Sequence, residues 1–138
     1  MKLVIDTNVL LVSISRRSSV NWLFQSLIKG GFILCVSTEI LNEYAEILEN
    51  KMGDRIAENV MKTIINLDDL KLVSKHFSWQ LIEADKDDNK FVDCAIAANA
   101  DYIVTHDKHF NILKTIDFPK VNIINIHELE KILAGEHL

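Results

Sequence analysis

The sequence predicts an α/β fold, a central parallel sheet of about five strands sandwiched by helices. Two observations carry this. Short apolar runs recur along the chain without polar alternation, as expected of strands covered on both faces, and amphipathic segments of helical period separate them. The 138 residues predict a single domain, 1–138, long enough to bury roughly two-thirds of its unfolded surface. One proline and four glycines leave little room for linkers.

Leu3 to Ile5 form the first strand candidate, ending abruptly in Asp6-Thr7-Asn8, and a helix is expected to begin near Val9. Ser15 to Ser19 break the apolar run and place Arg16 and Arg17 side by side. Ser18 or Ser19 can cap a helix through Trp22 and Ile28 that stops at Gly30-Gly31. Phe32 to Val36 is the second strand, followed by a helix from Thr38 to Lys51 with Gly53 as its stop. Asp54 opens another helix through Leu67, and Lys71 to Val73 make a short third strand. An acidic stretch, Glu83 to Asn89, precedes an apolar helix from Phe91 to Ala98. Tyr102 to Thr105 is the fourth strand, Val121 to Ile126 the fifth, and His127 to Ala134 the last helix.

Composition narrows the function classes. A net charge of −5 argues against a protein that simply coats nucleic acid, yet it is compatible with an acidic pocket rimmed by a few cations. Cys35 and Cys94 sit in apolar surroundings and read as buried, reduced thiols. No apolar run approaches the roughly 18 residues needed to span a bilayer, and no signal peptide is visible, so a cytoplasmic protein without a membrane role is expected.

The chemistry-bearing pattern is one of acids. Asp6 ends a buried strand, where it either caps the next helix or binds a ligand at the sheet's carboxyl edge. Asp107 repeats this arrangement two residues after Thr105. Glu43 lies beside the apolar stripe of its helix, as either a solvated side chain or an acid reaching inward. Asp93 interrupts the apolar helix, on either a solvent-facing stripe or the wall of a pocket. Asp85, Asp87 and Asp88 suit the N-terminus of that helix by dipole and capping. Carboxylates gathered closely raise one another's pKa unless a cation lies between them, and hard oxygen ligands suit Mg²⁺ or Mn²⁺.

Asp6-Thr7-Asn8, an acid in the helix after Ser37, Asp93-Cys-Ala-Ile-Ala-Ala and Thr105-His-Asp107 together resemble, in order, the PIN-domain ribonucleases. The stretch from Asp85 to Asp107 is especially similar to their toxin-component, VapC-like subfamily. The resemblance implies a catalytic quartet of Asp6, Glu43, Asp93 and Asp107, with Asp88 competing with Asp93 for the third place. It places metal on Asp6, Asp107 and Asp93, with Thr7, Asn8 and Thr105 in support. It further implies Mg²⁺- or Mn²⁺-dependent hydrolysis of single-stranded RNA, an antitoxin partner and a homodimer. Arg16, Arg17, Lys90 and Lys108 are candidate RNA contacts. His106 and His109 either contact phosphate or are surface residues, and Trp79 could stack a base, whereas Trp22 fits the core.

Two rivals stand beside this reading. A haloacid-dehalogenase-like phosphatase also places an Asp after its first strand, but its second Asp would fall where this chain has Asn8. A PIN-like scaffold that binds RNA or protein without cleaving is the non-enzymatic alternative. A dinucleotide-binding fold is excluded, since no Gly-x-Gly-x-x-Gly follows the first strand.

Overall fold

The computed structural model describes residues 1–135, so the last three residues of the expected domain lie outside the described residues. The strands are β1 (Lys2–Ile5), β2 (Ile33–Val36), β3 (Lys71–Leu72), β4 (Tyr102–Val104) and β5 (Ile123–Ile124). The helices are α1 (Thr7–Ile14), α2 (Asn21–Ile28), α3 (Thr38–Met52), α4 (Asp54–Ile65), α5 (Asn89–Ala98) and α6 (Ile126–Leu133). Two 3₁₀ segments, Lys86–Asp88 and Lys108–Thr115, complete the order.

The strands form one sheet in the order β3-β2-β1-β4-β5, and every neighbouring pair is parallel. Leu3, Val4, Ile5, Leu34, Cys35, Val36, Ile103 and Val104 are all buried, which is why these strands read as unbroken apolar runs rather than alternating ones. Helix α5 packs across β1, β2 and β4, so its Phe91, Val92, Cys94, Ala95 and Ala98 are buried. Cys35 and Cys94 are free, buried thiols, and burial pushes Cys94 up to about 12, which leaves it protonated and unreactive.

Several boundaries move from their expected places, each for a local reason. Helix α1 begins at Thr7 instead of Val9, because the Asp6 carbonyl already accepts the Leu10 N–H. The fifth strand contracts from 121–126 to Ile123–Ile124, which pair only with Ile103 and Val104. Its next residue, Asn125, turns the chain into α6 through a capping box with Glu128, so Ile126 is helical. Between α3 and α4, Gly53 holds a φ of +86° and ends one helix while starting the next, a backbone state that side-chain-bearing residues rarely tolerate. The 3₁₀ segment at 108–115 has no counterpart among the expected elements.

Tyr44 of α3 is fully buried and donates its hydroxyl hydrogen bond to the Ile5 carbonyl, fastening α3 to the end of β1. Burial holds its phenol well above the ordinary range, so the hydroxyl stays a donor. Tyr44→Phe is expected to lower unfolding free energy by about 1–2 kcal/mol. Urea denaturation followed by circular dichroism measures this, and an unchanged midpoint would show the bond to be dispensable.

Candidate metal centre

The register of β1 on β4 pairs Ile5 with Val104 and therefore sets the next residues, Asp6 and Thr105, side by side. The Asp6 N–H extends the ladder by one bond, to the Val104 carbonyl at 3.0 Å. Asp6 is only 6% exposed, and its carboxylate accepts the Thr105 hydroxyl at 2.8 Å instead of making a side-chain cap on α1. The same hydroxyl oxygen accepts the Asp107 N–H at 3.0 Å, so Thr105 links both strand-end acids. Asp107 in turn accepts the His109 N–H at 2.9 Å and starts the 108–115 segment. Burial raises the Asp6 pKa above the ordinary carboxylate range; the Thr105 hydrogen bond opposes this, while the charges of Asp107 and Glu43 add to it.

Glu43 reaches inward from α3 and accepts the hydroxyl of buried Thr7. Asn8 is exposed, and its backbone N–H favours the ionised form of Asp6. Lys90, at the start of α5, meets Glu43 at 2.6 Å and Asp87 at 2.8 Å, and its side chain is 9% exposed. Burial alone would lower the Lys90 pKa, but hydrogen bonds to Asp87 and Glu43 outweigh it and the net direction is upward. Lys90 is thus an internal counter-ion rather than a cation free to meet RNA. Arg16 and Arg17 are exposed in the turn after α1, about 12 Å of helix away from Asp6. Lys108 is exposed beside Asp107 and lines a small polar pocket of about 180 Å³ with Thr105, Asn125 and Glu128.

Asp88 and Asp93 part company in the structure. The Asp85 carboxylate accepts the Asp87 N–H at 3.1 Å and forms the 3₁₀ turn that delivers Asp88. Among the described residues, one Asp88 oxygen is buried without a hydrogen-bond partner and lies 3.6 Å from His109 Nδ1. Burial, then the charges of Asp85, Asp107 and Asp6, push its pKa up to about 7. Asp88 therefore belongs electrostatically with Asp6 and Asp107. Asp93 is buried too, at 3% exposed, but it accepts the Trp79 N–H at 3.1 Å and faces Lys75 at 3.8 Å. Five residues separate the two acids, which turns them about 140° apart around a helix axis. Asp93 is therefore off any solvent-facing stripe and lines a pocket of about 620 Å³ with Glu39, Lys75 and Lys90, its contacts lying on the Trp79 side of α5.

Asp85, Asp88 and His109 bring potential ligand atoms within 4.8 Å of one another, and His109 also lies 3.3 Å from Asp107. Neither Asp85 nor His109 stood out as a ligand in the sequence. The available signal was the Asp85-x-x-Asp88 spacing, one 3₁₀ turn that places both acids on one side. A predominantly carboxylate donor set with a buried, unpartnered oxygen fits a hard divalent cation.

The sequence profile of the PIN domain matches residues 2–109. The chain belongs to the PIN-domain family. That membership sets aside the haloacid-dehalogenase-like alternative. No curated protein matches the chain. Among solved structures, it is similar to a chain of VapBC2 from Rickettsia felis bound to a DNA fragment from their promoter, with a TM-score of 0.60 and 17% identity. The match covers 91% of this chain and 98% of that one, a likeness of fold. Among the described residues of this PIN domain, no helix is long and apolar enough to cross a membrane.

The raised Asp88 pKa fixes the sign of a pH effect. Between about pH 4 and 7 the metal-free folded protein retains a proton that the unfolded chain has lost, so its stability falls as pH rises through that window. Asp88→Asn is expected to flatten this fall and to raise the melting temperature in EDTA at pH 7.5 relative to wild type. Thermal melts at pH 5 and 7.5 measure both effects, and parallel curves for the two proteins would refute the assignment.

Proposed function

We propose that this PIN-domain protein is a metal-dependent endoribonuclease that hydrolyses phosphodiester bonds of single-stranded RNA. The observation that carries the reading is the convergence of acids at the carboxyl edge of a parallel sheet: Thr105 bonds both Asp6 and Asp107, His109 Nδ1 lies 3.3 Å from Asp107 and 3.6 Å from Asp88, and Glu43 bonds Thr7 beside Asp6. Nothing in the packing of the fold calls for several carboxylates there, and their mutual repulsion is relieved by a divalent cation. In this reading Asp6, Asp88 and Asp107 hold Mg²⁺ or Mn²⁺, and Asp85 and His109 border that site.

A bound divalent ion supplies charge neutralisation of the phosphate and a water of lowered pKa. The chain's own residues do the positioning. Thr105 orients Asp6 by its hydroxyl and Asp107 by its backbone contact, and Thr7 and Lys90 hold Glu43 where it can orient the attacking water. The water oxygen loses a proton to solvent as it attacks phosphorus, the bond to the leaving ribose oxygen breaks, and that oxygen takes up a proton from solvent, so the two transfers cancel. Asp93, turned toward Trp79 and Lys75, stands outside this set and supports the neighbouring wall.

The VapBC2 likeness supports the further reading of this chain as the toxin of a toxin–antitoxin pair, with an antitoxin protein as partner. A homodimer and a cytoplasmic site of action belong to the same reading. Cleavage of single-stranded RNA with Mn²⁺ or Mg²⁺ tests it. Asp6→Asn, Asp88→Asn and Asp107→Asn are each expected to lose at least about a hundredfold in rate, and Asp93→Asn far less. Equal cleavage by wild type and the first three variants would sink the site, and no cleavage of any RNA by wild type would leave the non-cleaving scaffold.

A further inference from the structure

Three aromatic rings stand outside the core on the irregular strap that joins β3 to α5 and on the loop before β5. Phe77 is 61% exposed and Phe118 is 84% exposed, with half-buried Trp79 between them. Trp79 meets Phe77 edge-on at 4.8 Å and Phe118 at 6.3 Å between ring centroids. Keeping such rings wet forfeits the burial that large apolar side chains normally gain, so a shared exposed patch of this kind marks a contact surface.

The carriers of this patch both lead from the acids. The strap is fastened to α5 by the Trp79 N–H on Asp93 and by two hydrogen bonds, each 2.9 Å, between the Asn89 side chain and the Ile82 backbone. It then runs into the Asp85–Asp88 turn. Phe118 follows the 3₁₀ segment that starts at Asp107. Lys75 and His76 precede Phe77 and Lys120 follows Phe118, all exposed; Lys75 faces Glu39 at 3.5 Å and Asp93 at 3.8 Å, and Asp117 is the acid beside Phe118. Aromatic rings interleaved with cations suit a flexible polyanion that offers unpaired bases for stacking and phosphates for the cations.

We propose that Phe77, Trp79 and Phe118 form a stacking platform for the unpaired bases of single-stranded RNA, with His76 and Lys120 beside its phosphates. The proposal rests on the ribonuclease reading and adds how the substrate is held and why a duplex is refused. Bases paired within a helix cannot present their faces to these rings.

The test uses the full chain carrying Asp6→Asn, to bind without cutting, and Trp22→Phe, so that emission reports Trp79 alone. Labelled single-stranded RNA of about ten nucleotides is titrated in Mg²⁺, beside the same RNA as a blunt duplex. Single-stranded RNA is expected to quench Trp79 and the duplex to leave it unchanged. Phe118→Ser, a change at an exposed ring that the core does not use, is expected to weaken binding by about tenfold in anisotropy. It should also raise KM of the otherwise wild-type enzyme while leaving kcat in place. RNA that binds without quenching, with equal affinity for Phe118→Ser, would overturn the platform and leave the nuclease standing. Failure of wild type to bind or cleave any RNA would remove both. Trp79 emission that changes with protein concentration alone, and not with RNA, would assign the rings to a second copy of the chain and overturn the proposal.

Discussion

The parallel pairing of β1 with β4 is the constraint from which the site follows. Once Leu3, Val4 and Ile5 lie opposite Tyr102, Ile103 and Val104, the first polar residue after β1 must emerge beside the first after β4. Thr105 turns that adjacency into a fixed geometry, because one hydroxyl donates to Asp6 and receives the Asp107 amide. A slip of one residue would turn the strand's apolar side chains to the opposite faces and separate the acids, so the core holds the site in place.

Collecting acids at this edge makes the folded state electrostatically tense. Lys90 relieves part of the tension by pairing Glu43 with Asp87, and Thr105 relieves part at Asp6. Asp88 has no comparable relief among the described residues: its buried oxygen has no hydrogen-bond partner there, and three neighbouring carboxylates favour its neutral form. A fold stabilised only for its own sake would have little use for such a residue, whereas a cation-binding centre needs one. The same interior therefore shows two solutions to buried charge, one internal and completed, the other open to an incoming ion.

The sheet was legible because both faces of every central strand are covered, which leaves uninterrupted runs such as Leu3 to Ile5 and Ile103 to Val104 in the sequence. Asp6 and Asp107 were legible because a carboxylate ending such a run stands out. Lys90 was not, since a lysine beside an acidic stretch looks the same whether it faces solvent or two carboxylates. Helical angle sets Asp88 and Asp93 on different sides but does not say which side faces Asp6. That distinction depends on the strap, an irregular segment without periodicity, which covers the flank of α5 and offers its Trp79 amide to Asp93. The contraction of β5 likewise depends on a tertiary fact, the short length of β4 against which it pairs.

The strap is held to α5 through main-chain atoms, the Trp79 amide and both the amide and carbonyl of Ile82. Such attachments are indifferent to the side chains they carry. The residues at 77 and 78 can therefore drift over evolutionary time without loosening the strap or disturbing Asp88 at its far end. Within one PIN-domain scaffold, the surface offered next to the acids is free to diversify while the acids themselves stay put.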